Sequence, residues 1–355
     1  MPIAHYQGGL GARFSHFLHR YFLVLLISSY ALGGLFPALG KVIRHISFGQ
    51  ISVFGQRTSL SMSMVMLGIL LFNAALSLEK VRDLIRTPRF LVGGLAANLF
   101  LPVIVLYFTS YAMSFWSTPE HLQAIIVALA LLSAVPVAGS ATAYTQNTDG
   151  DVPLSVGLVL LSTFLSPCLM PISLHLINYF SFGDYTPALL QLETGAPTLV
   201  LFLSVLLPSV LGLGMRPLLG GQRTQSFKPT LKLLNSTCLL ILNYTMASIA
   251  LPQFFASPDW GFLVASLGFS SLLCAIDFMS GWGIARILGA KTAQCLALMF
   301  GVGMNNNGTA LVLASLAFVN APKILVPMIF YNLVQNVIAS GAVTFVSTRS
   351  DHSAS

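Results

Sequence analysis

The chain has 355 residues, of which 55% are hydrophobic and only 8% charged, and its mean hydropathy is +0.83. Soluble domains carry roughly a quarter charged residues, so this composition excludes an ordinary soluble domain and implies an integral protein of the lipid bilayer. The net charge of +7 calls for no nucleic-acid partner, because the basic residues fall in the loops between apolar runs.

Residues 1–20 form a polar start containing His5, Arg13, His16, His19 and Arg20. Phe14, Phe17, Leu18 and Tyr21 recur there at helical spacing, which suits a short interfacial stretch. The first apolar run follows too late, and is too long, for a cleaved secretory signal. A span needs about 20 mostly apolar residues, and lipid leaves no open sheet edge satisfied. The pattern predicts an all-α membrane protein with ten transmembrane helices, at about 21–40, 60–79, 90–114, 122–146, 152–178, 195–218, 230–255, 260–288, 292–317 and 321–346. Breakers separate them, among them Gly49 and Gly55, Pro119, Asp149-Gly150-Asp151, Gly220-Gly221 and Pro322. Cys168, Cys238, Cys274 and Cys295 all lie in apolar runs without a CxxC pair, as small packing residues do.

Basic residues set the orientation of such a chain. With the N-terminus inside, 13 of the 17 Lys and Arg fall on the cytoplasmic side. Lys41, Arg44, Arg57 and Lys323 fall outside. Both termini are then cytoplasmic, in a plasma (cell inner) membrane, and the number of spans is even. Residues 1–20 form a cytoplasmic N-terminal segment and 347–355 a cytoplasmic tail. Ten spans divide into five-helix repeats at 21–178 and 195–346. Five is odd, so the second repeat runs inverted relative to the first.

Two stretches interrupt apolar runs with polar and small residues. Pro136-Val137-Ala138-Gly139-Ser140-Ala141-Thr142 does so in the fourth span, and Gly301-Val302-Gly303-Met304-Asn305-Asn306-Asn307 in the ninth. Corresponding broken helices in two halves mark the binding site of a secondary transporter. Three successive asparagines stand about 100° apart on a helix and cannot face one neighbour, so an unwound segment suits them better than interhelical bonding. A half-helix starting near Gly139 and Ser140 would aim free N–H groups at an anion. Asp277 is the one carboxylate deep within a predicted span. It binds a cation, accepts a proton, or serves as a packing carboxyl beside a Ser, an Asn or Arg286. Tyr331, Asn332, Gln335 and Asn336 place four polar groups on two turns of the tenth span, as a cavity wall or as interhelical bonding. No HExxH or GxSxG occurs and Asp277 has no second deep acid, so the chain does not read as an enzyme.

Several of these segments resemble the bile acid:sodium symporter family. The resemblance lies in Pro136–Pro167, in Gly301-Val302-Gly303-Met304-Asn305-Asn306 and in Phe330-Tyr331-Asn332. It implies two inverted five-helix repeats, with a core domain whose broken fourth and ninth helices cross and a panel domain of the first, second, sixth and seventh helices. It also implies uptake of a small organic anion coupled to sodium. By the same resemblance Asn306 contacts substrate, beside Gly139, Ser140, Tyr331 and Asn332 as the other candidate substrate residues, while Thr142, Ser155, Gly301, Met304 and Asn305 take the positions of ion ligands. The chain departs from the family at the ion ligands. The family's helix-nine glutamate falls at Gly301, its Ser-Asn pair at Ala141-Thr142, its second helix-five hydroxyl at Val159, and its two glutamines at Asn305 and near Asn98.

The expected function is therefore secondary active transport of a small organic anion by alternating access, with sodium or a proton as coupling ion and Asp277 as a replacement acid. No other cofactor is expected. The alternative is a transport-inactive sensor or partner protein that retains the fold.

Overall fold

A computed structural model describes residues 21–53, 56–76, 87–113, 119–178, 202–256, 258–318 and 321–353. The interfacial reading of residues 1–20 and the basic residues Lys80, Arg82 and Arg86 fall outside them.

The structure is helical in nearly every described segment. Helix α1 (Phe22–Leu35) stops at Phe36, and Pro37 starts α2 (Pro37–His45). Proline lacks an N–H and carries a helix-ready φ, so it ends one helix and begins the next. The axis bends by 91° there, where the sequence pattern had predicted one straight span. Tyr244 Oη donates to the Phe36 carbonyl at 2.6 Å, satisfying an acceptor freed by the bend. A second departure from the all-α expectation follows. Ser47–Val53 (β1) and Gln56–Ser61 (β2) pair as an antiparallel hairpin, with an irregularity between Ser47 and Gln50 where Gly49 takes φ +115°. The polar Ser, Gln and Thr of this stretch read as loop. A two-stranded ribbon with open edges belongs in water, since lipid cannot pair its backbone.

Next come α3 (Met62–Leu76), α4 (Pro88–Met113), α5 (Pro119–Ala134), the short α6 (Ser140–Asn147) and α7 (Val152–Asn178). A single π turn (Phe202–Leu206) leads into α8 (Leu207–Leu219), and Gly220 at φ +74° separates it from α9 (Gly221–Ala256). Then follow α10 (Trp260–Ile287), α11 (Thr292–Gly303), α12 (Asn307–Ala317), a 3-10 turn (Pro322–Ile324) and α13 (Leu325–Ser353). Among the described residues, four helices are long and apolar enough to cross a membrane, or five counting the bent α1–α2 pair. Val264, Leu272, Met279 and Ile287 on α10 and Phe100, Tyr107 and Phe108 on α4 stay exposed, as suits side chains facing lipid.

Packing divides the helices into two groups. In one, α9 lies along α1, α2 and α3, and α3 along α8. A Cβ at Gly33 would meet the Tyr244 carbonyl oxygen at 2.6 Å, so only glycine lets α1 approach α9 that closely. In the other, α10 packs along α11, α13 and α4, and α7 along α4, α5 and α11. Gly281 of α10 serves the same purpose as Gly33, its Cβ direction ending 2.5 Å from the Leu298 carbonyl oxygen.

Gly281→Val is expected to cost about 1–3 kcal/mol, the usual penalty of overpacking. Gly283→Ala, on the same helix with nothing within 4 Å, should be near neutral. Thermal unfolding of the two purified variants in detergent checks the contrast.

Candidate functional site

The two polar stretches meet. Pro136 cannot donate to a helical carbonyl, and α5 ends at Ala134 while α6 begins at Ser140. Across from it, α11 ends at Gly303 and α12 begins at Asn307. The two unwound segments run antiparallel, with Val137 opposite Asn305 in an isolated β-bridge. Ala138 N–H donates to the Met304 carbonyl at 2.8 Å, and Asn306 N–H to the Pro136 carbonyl at 2.9 Å. Each break thus satisfies buried backbone groups that the other leaves open. Asn305 is held further by Gln335, which accepts from its N–H at 3.2 Å and donates to its carbonyl at 3.4 Å. Val137 N–H donates to Ser162 Oγ at 3.0 Å. Asn306 caps α12, its Oδ1 accepting from Thr309 N–H at 3.2 Å, the usual task of an N-cap asparagine.

A chain of hydrogen bonds leads from the crossing to the buried acid. Tyr331 Oη accepts from Asn305 Nδ2 at 2.9 Å and donates to Asp277 Oδ2 at 2.8 Å. Asn98 Nδ2 reaches Asn305 Oδ1 at 3.4 Å. The partner of Asp277 is therefore a tyrosine on α13. Arg286, considered from the sequence, instead stacks over Trp282 at 5.4 Å.

A second network centres on Asn332. Its Oδ1 accepts from Asn307 Nδ2 at 3.1 Å, and its Nδ2 donates to Tyr30 Oη at 2.5 Å and Asn243 Oδ1 at 3.2 Å. Tyr30 and Asn243 bond each other at 3.0 Å. Tyr30 and Asn243 lie on α1 and α9 and Asn332 on α13, so this cluster joins the two packing groups. Sequence reading missed both partners. Their signal was present, since each lies in a short polar group within an apolar span.

Of the residues expected at substrate, Gly139 is exposed and Ser140 and Asn306 are partly exposed, at the two half-helix starts. Tyr331 and Asn332 are buried behind them. The residues expected at the ion divide into separate places. Ser155 Oγ bonds Thr142 Oγ1 at 3.4 Å. The Met304 carbonyl and Asn305 belong to the crossing, and Asp277 sits beyond Tyr331. Gly301 is closed off, because a Cβ there would lie 2.5 Å from Leu158 Cδ1. Leu158 thus occupies the direction a side chain at this position would take. Among the described residues, no group of three or more His, Cys, Asp or Glu could hold a metal ion. The arrangement offers neutral oxygen and nitrogen groups, two half-helix starts and one buried carboxyl.

Residues 20–348 match the SBF-like CPA transporter family, in keeping with the resemblance read from the two breaks. Two proteins of Bacillus subtilis (strain 168) are similar to the chain. One, described as "Uncharacterized sodium-dependent transporter YocS", is 24% identical over 341 residues, which cover 95% of this chain and 94% of YocS. The other, "Uncharacterized protein YbaS", is 24% identical over 216 residues, 61% of this chain and 66% of YbaS.

Gly301→Glu is expected to destabilise the protein through collision with Leu158, and Leu158→Ala to destabilise it by about 2–5 kcal/mol through a cavity. The double variant should be more stable than the sum of the two losses, because each change relieves the other. Unfolding midpoints of the four proteins give this coupling, and simple additivity would place the residue-301 side chain elsewhere.

Proposed function

The chain belongs to the SBF-like CPA transporter family, and we propose that it moves a small organic anion across the plasma membrane by alternating access, coupled to sodium or a proton. The observation that carries this reading is the pairing of the two helix breaks through Val137 and Asn305. The starts of α6 and α12 lie at that pairing, and a helix start favours negative charge through its free N–H groups and dipole. Gly139, Ser140 and Asn306 are the accessible groups there, and Thr142 in the first turn of α6 bonds Ser155 of α7. Recognition of the anion then rests on amides, hydroxyls and backbone donors.

In this reading ten spans form two inverted repeats, 21–178 and 195–346, with both termini cytoplasmic as the distribution of Lys and Arg favours. The group containing α1, α3, α8 and α9 acts as a panel and the group containing the crossing as a core. The panel rocks against the core, and the hydrogen bonds of Asn332 to Tyr30 and Asn243 open and close with it. YocS is named as a sodium-dependent transporter, which supports sodium as the coupling ion. Asp277 supports a proton: it is buried in a span, where an ionised acid is costly, and it reaches the crossing through Tyr331 and Asn305.

A second reading has its own observation. Leu158 fills the direction from Gly301, where the family carries its cation-binding glutamate, so the protein is alternatively a sensor that kept the fold and lost coupling.

Flux of radiolabelled small carboxylates and steroid acids into proteoliposomes, under separate sodium and proton gradients, distinguishes these. Gradient-driven uptake is expected. Asp277→Asn should abolish proton-driven uptake and spare sodium-driven uptake. No gradient-driven flux with any of these acids would favour the sensor.

A further inference from the structure

We propose that a monovalent cation of sodium's size binds in a small cavity at the C-terminal end of α5, between Asn98, Ser133, Ser162 and Ser166. The cavity lies where α4, α5 and α7 meet and has a volume of about 20 Å³, room for one water or one dehydrated small ion. Its α7 residues lie about two to three helical turns along from Ser155, and no side chain of the family-type ion set lines it except Asn98, which aligns near one of the family's two glutamines.

The hydroxyls define what the cavity accepts. Ser133 Oγ donates to the Leu129 carbonyl at 2.7 Å, Ser162 Oγ to the Val159 carbonyl at 3.0 Å, and Ser166 Oγ to the Thr163 carbonyl at 2.8 Å. A hydroxyl has one proton and two lone pairs, so all three have committed their proton to their own helix and keep lone pairs for a ligand. Ser162 uses one of these for Val137 N–H and retains the other. Asn98 uses one of its two amide N–H groups on Asn305 and keeps its own Oδ1. All three serines are at least nine-tenths buried, with relative exposures of 5%, 4% and 2% for Ser133, Ser162 and Ser166. The three hydroxyls offer acceptors without free donors, which suits a cation better than an anion.

The backbone adds to this set. In an unbroken helix the carbonyls of Leu132, Ser133 and Ala134 would be bonded by the N–H groups of residues 136, 137 and 138. Here residue 136 is proline, Val137 donates to Ser162, and Ala138 donates to Met304. Those three carbonyls lose their helical donors, and two of their residues, Ser133 and Ala134, line the cavity. They also form the negative end of the α5 dipole, equivalent to roughly half an elementary charge. Half-helix ends and unwound carbonyls are the usual coordination for a coupling ion in broken-helix transporters. No carboxylate lines the cavity, which selects against calcium and magnesium, whose sites rely on carboxylates.

At the comparable end of α11, apolar side chains close the directions that Gly301 and Gly303 leave open. Leu158 lies against Gly301, and the Phe278 ring lies 2.5 Å from the Cβ direction of Gly303. The apolar filling of one half-helix end, and the cavity with three serines and Asn98 in its wall at the other, are the basis for placing the ion at α5. An ion there would also hold the crossing, because Ser162 bonds Val137 and Asn98 bonds Asn305, the two paired residues.

That the ion drives transport rests on the transporter reading, whereas its binding does not. Thermal unfolding of the purified full chain is measured in sodium, lithium, potassium and choline chloride at constant ionic strength, without substrate. Sodium is expected to raise the midpoint saturably over choline. Ser166→Ala, and Ser133→Ala as a second variant should the first fold poorly, should need about tenfold more sodium for half the shift, while Thr142→Val should keep the wild-type response. No sodium effect in the wild type would make the cavity a water site and overturn the proposal. So would a sodium effect lost in Thr142→Val and kept in both serine variants. Proton-driven flux without any sodium effect would remove this site and leave the transporter reading standing. A sodium effect without any flux would do the reverse.

Discussion

Everything in this protein turns on the need to pair backbone N–H and C=O groups where no water can reach them. Lipid leaves each unsatisfied group at a cost of several kcal/mol, so a helix interrupted in mid-membrane must find substitutes. Here the substitutes are mutual. The segment around Pro136 is satisfied by the segment around Asn305, through the two backbone hydrogen bonds of one β-bridge. Gln335 and Ser162 take up further groups on each side. Neither break is tolerable alone, which explains why the two lie against one another and why polar side chains gather around them.

That constraint organises the rest. The asparagines that cannot be accommodated on one helical face become a cap, a bridge and a donor, at Asn306, Asn305 and Asn307 respectively. Tyr331 carries the pairing out to Asp277, and Asn332 carries it across to Tyr30 and Asn243. One route ends on the chain's deep acid and the other on the opposite group of helices. Asp277 and the opposite group of helices are therefore both connected to the crossing by direct hydrogen bonds.

Much of this was legible in the sequence, for physical reasons that differ by residue. The two breaks stood out because glycine, proline and consecutive asparagines do not suit a plain apolar helix, and the resemblance of the chain to a transporter family rests on the same stretches. The deep position of Asp277 was evident from the apolar run around it. Its partner was not, because α10 and α13 meet through packing that one-dimensional spacing does not encode, and the nearby Arg286 was the more obvious choice. The bend at Phe36 was concealed by an apolar run that continues through Pro37, and the hairpin at 47–61 by a composition that looks like loop. The absence of a carboxylate at Gly301 was visible at once, whereas its filling by Leu158 was not, since the two are 143 positions apart.

The central claim is that the half-helix starts beside the buried crossing form a water-accessible binding site, and that the crossing is not merely a packing device. Cysteine placed at Ser140, in a protein whose four native cysteines have been replaced, tests it through labelling by a membrane-impermeant thiol reagent. The account predicts labelling from an aqueous face, slowed by a transported anion. A thiol at residue 140 that is unreactive from both faces of the membrane, with or without the anion, would contradict it.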